Sequence, residues 1–170
     1  GKLNIAGIGF GGMGHTNLLG CAGENIVALC DVDHVHSAKT FKAFPKAAAY
    51  TDYRVMLEKQ KDIDAVLIAT PDHTHAVIAM AAMQAGKHVF CEKPCATSVE
   101  DLREMLQVCR DHRVQFIDGV MFMHSHRLDA MREVLNDGVS VGQVKRITSA
   151  FSFCAPKEFF RHMSFSRRRR

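Results

Sequence analysis

Short apolar runs rich in Val and Ile alternate along this chain with stretches in which apolar side chains recur every three to four positions. The first pattern reads as a strand buried on both faces and the second as an amphipathic helix. Their alternation predicts βαβ units around a parallel sheet. Strands are expected at residues 3–8, 26–30, 65–70, 88–91 and 114–117, with a shorter, less apolar one at 48–50. A helix is expected to start near His15 and run to Cys21. Ser98 can cap a helix whose stripe is Val99, Leu102, Met105, Leu106 and Cys109, with Glu100 and Asp101 placing negative charge at its start. The nearly all-apolar stretch 75–85 reads as a buried helix stopped at Gly86, its methionines in the core.

After Asp118-Gly119 the pattern changes. Residues 127–136 read as a helix closed by Asp137-Gly138, and 147–153 alternates Ile147, Phe151 and Phe153 with Thr148 and Ser152, as an opening antiparallel strand would. A lone strand needs partners, and few residues follow it, so a second domain is expected to be incomplete. The expected architecture is α/β: a doubly wound parallel sheet of Rossmann type over 1–120, the start of a truncated α+β substrate and oligomerisation domain over 121–163, and an appended tail over 164–170.

Composition narrows the function classes. With 170 residues, 47% of them hydrophobic and 24% charged, the chain can bury one sizeable core. No apolar run approaches the roughly 18 residues of a spanning helix, and the start carries no leader pattern, so a cytoplasmic protein is expected. The net charge of +4 lies in the four arginines at 167–170; the remaining basic and acidic side chains balance at 18 each. A nucleic-acid binder would spread its charge over a face, so neither nucleic acid nor membrane is an expected partner. The cysteines (Cys21, Cys30, Cys91, Cys95, Cys109, Cys154) form no C-x-x-C pair and mostly sit in apolar runs, as reduced core thiols do. The pairs His34/His36, His73/His75 and His124/His126 lack a carboxylate or Cys at zinc-site spacing, and no metal is expected.

Two G-x-G-x-x-G registers overlap: Gly7, Gly9, Gly12 and Gly9, Gly11, Gly14. The second is preferred, because the first strand then runs up to the first glycine and Gly14 falls where the helix opens. Gly9 would allow the tight turn, Gly11 the approach of a pyrophosphate, and Gly14 close helix–strand packing, with the helix N-terminus facing the anion. Asp31 lies 22 positions after Gly9, at the end of the second strand, and could accept from the ribose hydroxyls while repelling a 2′-phosphate. NAD is therefore expected over NADP; Asp33 is a competing acid and His34 could shift the balance.

Ligands of open parallel sheets bind beyond the carboxyl ends of the strands, where this chain places Thr70-Pro71-Asp72-His73-Thr74-His75 and Cys91-Glu92-Lys93-Pro94. Helix capping by Thr70 or His75 alone would be an ordinary structural reading. Taken in order, Gly9-Phe10-Gly11-Gly12-Met13-Gly14, Thr70-Pro71-x-x-x-His75 and Glu92-Lys93-Pro94 make the chain resemble the Gfo/Idh/MocA oxidoreductases over residues 1–153. Asp118-Gly119-Val120-Met121 and the 142–153 segment are similar to the branch with dihydrodiol and D-xylose dehydrogenases. The resemblance implies that Gly9, Phe10, Gly11, Gly12, Met13 and Gly14 hold the pyrophosphate and Asp31 the ribose. It implies that Thr70, Pro71, His75, Glu92 and Lys93 line the nicotinamide side, with Lys93 as the catalytic residue on the substrate oxygen. It further implies a sugar- or polyol-like small-molecule substrate and a homo-oligomeric full-length protein. Members of that family are longer, with a second open sheet carrying further catalytic residues, so an NAD-binding module without turnover is the alternative expectation. A binder acting through the arginine tail is a third.

Overall fold

The computed structural model describes residues 1–148 and 150. Among them, β1 (Asn4–Ile8), β2 (Asn25–Cys30), β3 (Ala48–Tyr50), β4 (Ala65–Ile68), β5 (His88–Cys91) and β6 (Phe116–Asp118) form one sheet in the order β3-β2-β1-β4-β5-β6. Every neighbouring pair is parallel. The helices are α1 (Met13–Gly20), α2 (Ala38–Ala43), α3 (Tyr53–Lys59), α4 (His75–Gln84), α5 (Val99–Asp111) and α6 (Arg127–Asn136). A 3₁₀ turn, Asp72–Thr74, leads into α4.

The central strands are apolar apart from Asn4, Asn25 and His88 at their starts, because successive side chains enter two different cores. Ala28 and Cys30 of β2, Val66 and Ile68 of β4, and Val89 and Cys91 of β5 join Met56, Leu57, Ile78, Met83 and Met105 from α3, α4 and α5. Leu29 and Leu67, the intervening residues, join Phe10 and Leu18, with Phe41 and Phe90 packed against them. Helices on both faces leave the strands no solvent side, which is why their sequence does not alternate.

The boundaries differ from the expectation in small, explicable ways. β4 stops at Ile68 because Ala69 and Thr70 already turn toward the glycine segment, and β6 starts at Phe116 because the Val114 N–H is spent on the Cys109 carbonyl (3.2 Å). α1 begins at Met13, so Gly14 sits inside its first turn. The short helices α2 and α3 have no counterpart among the sequence expectations. Ser98 caps α5 by accepting from the Asp101 N–H (3.0 Å), and Gly86 ends α4 at φ 76°, with Gly86 N–H donating to Met83 and Lys87 N–H to Ala82. No helix among the described residues is long and apolar enough to cross a membrane.

The chain divides into two compact units, Gly1–His124 and Ser125–Arg170. Within the second, α6 covers the predicted 127–136, and Asp137 Oδ1 turns the chain behind it by accepting from Val139 and Ser140 N–H (2.9 and 2.8 Å). Of the strand expected at 147–153, Ile147 and Thr148 carry no strand pairing. Ser149, Phe151, Ser152 and Phe153 lie outside the described residues, as do Cys154 and the tail at 164–170.

Burial pushes the thiols of Cys30 and Cys91 up to about 12, with nearby Asp52 and Asp31 adding to the effect at Cys30, and Cys95 and Glu92 at Cys91. At pH 8 about one such thiol in 10⁴ is a thiolate. Iodoacetamide at pH 8 should therefore leave Cys30 and Cys91 unmodified in the native protein and label them in urea; native labelling at the rate of a free thiol would contradict this burial. Above pH 9 the unfolded chain ionises first, so these thiols make folding stability fall as pH rises.

Candidate functional site

The turn between β1 and α1 is built from contacts that only glycine allows at three positions. Gly9 has φ 76°, and an added Cβ would lie 2.7 Å from Thr70 Cγ2 and 2.8 Å from Thr70 N. A Cβ on Gly14 would collide with the carbonyl oxygen of Gly9, and one on Gly11 with the ring of His36. A Cβ on Gly12 would meet nothing. At 9 and 14 the obstruction is backbone, at 11 it is the His36 side chain, and at 7, the first glycine of the other register, it is the Leu18 side chain at 2.8 Å. The first turn of α1 carries no acidic side chain, so its positive end is not neutralised from within.

Phe10 holds this turn in place by its peptide and its ring. Its N–H donates to Asp31 Oδ2 (2.9 Å), and its carbonyl accepts from the buried Thr40 hydroxyl (3.0 Å). Thr40 has one hydrogen, so His15 Nδ1, 2.8 Å from Thr40 Oγ1, is the donor in that second contact. The Phe10 side chain is fully buried and meets Phe41 edge-on, ring centroids 5.1 Å apart. Its N–H, its carbonyl and its ring are thus all engaged within the protein.

The two acids after β2 separate clearly. Asp31 reaches the glycine turn with Oδ2 and accepts from Asp33 N–H with Oδ1 (2.9 Å). Asp33 faces its own turn, its Oδ1 accepting from Val35 and His36 N–H (3.1 and 2.9 Å). His34 packs on Phe41 with centroids 4.9 Å apart. It is His36, not His34, whose ring lies against the glycine turn.

Hydrogen bonds carry the strand ladder past the strand ends: Gly9 N–H to Cys30, Ala69 N–H to Ile8, Glu92 N–H to Ile68 and Gly119 N–H to Cys91, all between 2.7 and 2.9 Å. They line up Asp31, the glycine turn, Thr70 and Glu92 along one edge of the sheet. Two clefts open there. One, about 630 Å³, is lined by Gly9, Asp31, Val32, His36, Thr70 and Pro71 among others. The other, about 350 Å³, is bordered by Met13, Thr70, Asp72, His75, Glu92, Lys93 and Pro94. Thr70 is common to both.

In the smaller cleft Lys93 is exposed, and its ammonium has no hydrogen-bond partner among the described residues. Glu92 is fixed: Oε1 accepts from Asn17 Nδ2 (2.7 Å) and Oε2 from the Lys93 N–H (3.2 Å). His75 is 2% exposed, with Nε2 2.7 Å from the Thr70 carbonyl and Nδ1 2.8 Å from the Pro94 carbonyl. Neither Thr70 nor His75 makes a side-chain cap on α4. Among the described residues no cluster of three His, Cys, Asp or Glu side chains could hold a metal ion.

These residues fit a dinucleotide. Three positions where a Cβ would collide make a cradle of backbone N–H groups at an uncompensated helix start, and an acid stands beside it with lone pairs to spare. Sequence reasoning missed Thr40, Asn17, His15 and the placement of His36. Thr40 is on a helix too short to be read from periodicity, and Asn17 is recognisable only once Glu92 is in place beside it.

The family model of the Gfo/Idh/MocA group, described as an oxidoreductase family with an NAD-binding Rossmann fold, matches residues 2–120. The 2,7-anhydro-N-acetylneuraminate hydratase of Mediterraneibacter gnavus is 33% identical over 128 residues, 75% of this chain and 33% of that protein. The inositol 2-dehydrogenase of Salmonella typhimurium is 28% identical over 146 residues, 84% of this chain and 43% of that one. The crystal structure of scyllo-inositol dehydrogenase from Lactobacillus casei with bound NAD(H) and scyllo-inositol superposes with a TM-score of 0.70 at 25% identity, covering 81% of this chain and 42% of its own. The chain thus spans less than half the length of each of these. All are enzymes, and they lend no support to a binding module without turnover.

Replacing Thr40 by Val removes the hydroxyl shared by Phe10 and His15 and leaves both unpaired. The expected loss of stability is about 1–3 kcal/mol in urea unfolding, with Thr40→Ser retaining most of it. A Val variant as stable as the parent would show that the turn is not held this way.

Proposed function

This chain belongs to the Gfo/Idh/MocA family of oxidoreductases, and we propose that it binds NAD along the edge from Asp31 past the glycine turn to Lys93. There it would serve hydride transfer with a sugar, polyol or related hydroxyl or carbonyl compound. The observation that carries this reading is the glycine cradle standing between a cleft with an ordered carboxylate and a cleft with an unpartnered ammonium. The names of the inositol dehydrogenase relatives support the substrate class.

Each residue then has a task that follows from its surroundings. The turn from Gly9 to Gly14 faces the pyrophosphate with the backbone of Gly11, Gly12, Met13 and Gly14, while Gly9 and Phe10, whose N–H groups are bound to Cys30 and Asp31, hold it in shape; no side-chain charge is needed. Asp31 gives one lone pair on each oxygen to the protein and keeps the rest for two ribose hydroxyls; a 2′-phosphate would set anion against anion, so NAD is preferred. Ala69 and Thr70, which border both clefts, form the wall between the two halves of the cofactor, with Pro71 on the side of the larger cleft. When bound, the nicotinamide supplies or accepts the hydride. Lys93 donates a hydrogen bond to the reacting oxygen of the substrate and stabilises the negative charge that develops on it. Glu92, immobilised by Asn17, accepts from the Lys93 N–H and so steadies the backbone that carries Lys93.

Calorimetric titration with NADH and NADPH, followed by absorbance assays with NAD and a panel of inositols and sugars, tests the reading. NADH is expected to bind more tightly than NADPH; no binding of either would overturn the cofactor assignment. Asp31→Asn keeps an acceptor for the Phe10 N–H but removes the charge, so the NADH/NADPH affinity ratio should fall at least tenfold, about 1.4 kcal/mol. Lys93→Ala should lower turnover by about 10² or more while leaving NADH affinity within threefold. Turnover unchanged in that variant would remove Lys93 from the chemistry.

A further inference from the structure

His75 has two properties that a residue merely lining a cofactor cleft would not combine. It is almost wholly buried, and both ring nitrogens are engaged by backbone carbonyls, of Thr70 at 2.7 Å and of Pro94 at 2.8 Å. Those carbonyls belong to different crossovers: Thr70 leaves β4 toward α4, and Pro94 leaves β5 toward α5. Carbonyl oxygens only accept, so both contacts are hydrogen bonds when the ring carries a hydrogen on each nitrogen, as imidazolium; a ring with one hydrogen bonds one carbonyl and packs against the other. Each crossover also carries part of the site. Thr70 packs so tightly on the glycine turn that a Cβ at Gly9 would meet its N, Cα and Cγ2 within 2.9 Å. Pro94 directly follows Lys93. An unbroken line of contact therefore runs from the glycine turn through Thr70 and the His75 ring to the residue beside Lys93.

We propose that His75 is a positioning residue: its imidazole braces the turn after β4 to the turn after β5 and so sets where Lys93 and the smaller cleft stand relative to the dinucleotide cradle. The Lys93 ammonium is exposed and makes no hydrogen bond among the described residues, so its place depends on the backbone that carries it. Fixing that backbone through a rigid ring, rather than through the flexible lysine, leaves the ammonium free for substrate while holding its root within a narrow range. No other common side chain donates in two directions from two ring atoms. Gln has a single donor nitrogen and can serve one carbonyl well, while Ala serves neither.

The inference rests on the NAD reading above, and two ligands separate its failure from that of the reading. NADH engages both halves of the edge, whereas ADP-ribose lacks the nicotinamide and engages only the half with Asp31 and the glycine turn. With the full chain, His75→Gln and His75→Ala should weaken NADH at least about fivefold, the Ala variant more, and keep ADP-ribose within twofold of the parent. The change in NADH emission on binding should shrink in the same order, since it reports the nicotinamide surroundings. Parallel loss of both ligands in either folded variant, with thermal unfolding checking the fold, would mean a general structural role and overturn the proposal; unchanged NADH binding in both would do so as well. If the parent binds ADP-ribose and NADH equally well, the nicotinamide half is not engaged and the brace has nothing to position. If it binds neither, the NAD reading fails first and the proposal falls with it.

Discussion

The peptide of Phe10 is the point at which this fold and its site meet. Its N–H is taken by an acid at the end of β2, its carbonyl by a hydroxyl buried under α2, and its ring by the core of the α1 face. Three elements distant in sequence thus converge on one residue of the glycine turn. Glycines make a turn possible but leave it loose, since each gives the unfolded chain extra freedom. Fixing the non-glycine in their midst is what turns a permissive segment into a definite one. A ligand that needs several N–H groups aimed together then finds them already ordered, and less of its binding energy is lost to arranging the loop.

Much of this was legible in the sequence, because two-sided burial leaves a strong mark. Ala65–Ile68 is apolar on every residue and His88–Cys91 on all but its first, and α5 declares itself by Ser98, Glu100 and its stripe. The glycine register was legible for the same kind of reason: a strand must end and a helix begin at set distances from the turn. What could not be read depended on who meets whom. α2 and α3, of six and seven residues, have too few apolar positions for a period to emerge. Thr40 looks like any polar helix residue until Phe10 and His15 close on it. The histidines after β2 could not be told apart in the sequence. His34 was singled out by its nearness to Asp31 in sequence, but the turn capped by Asp33 sends its ring onto Phe41 and puts His36 against Gly11.

The two clefts have contrasting physics. At Asp31 each carboxylate oxygen already holds one backbone N–H, and the backbone is tied to the sheet. Around Lys93 the charged group stands in solvent and order comes from behind, through Asn17, Glu92 and His75. That division suits a site in which one half must hold a constant ligand and the other must admit a substrate. It also fits a family in which inositol dehydrogenases and a neuraminate hydratase share this part of the chain. The common half carries the cradle, and the variety has to come from what surrounds the second cleft.

In the function proposed above, Asp31 holds the loop with the same carboxylate that would meet a ribose. Affinity and selectivity are therefore not independent variables at this position. An engineer wishing to retarget the protein to a phosphorylated dinucleotide could not simply exchange the acid for a small or basic residue, because the Phe10 N–H would be orphaned together with the repulsion that was removed. A workable redesign would keep an acceptor at position 31 and introduce the cation elsewhere on the rim, with position 36, already against the turn, as the place to begin.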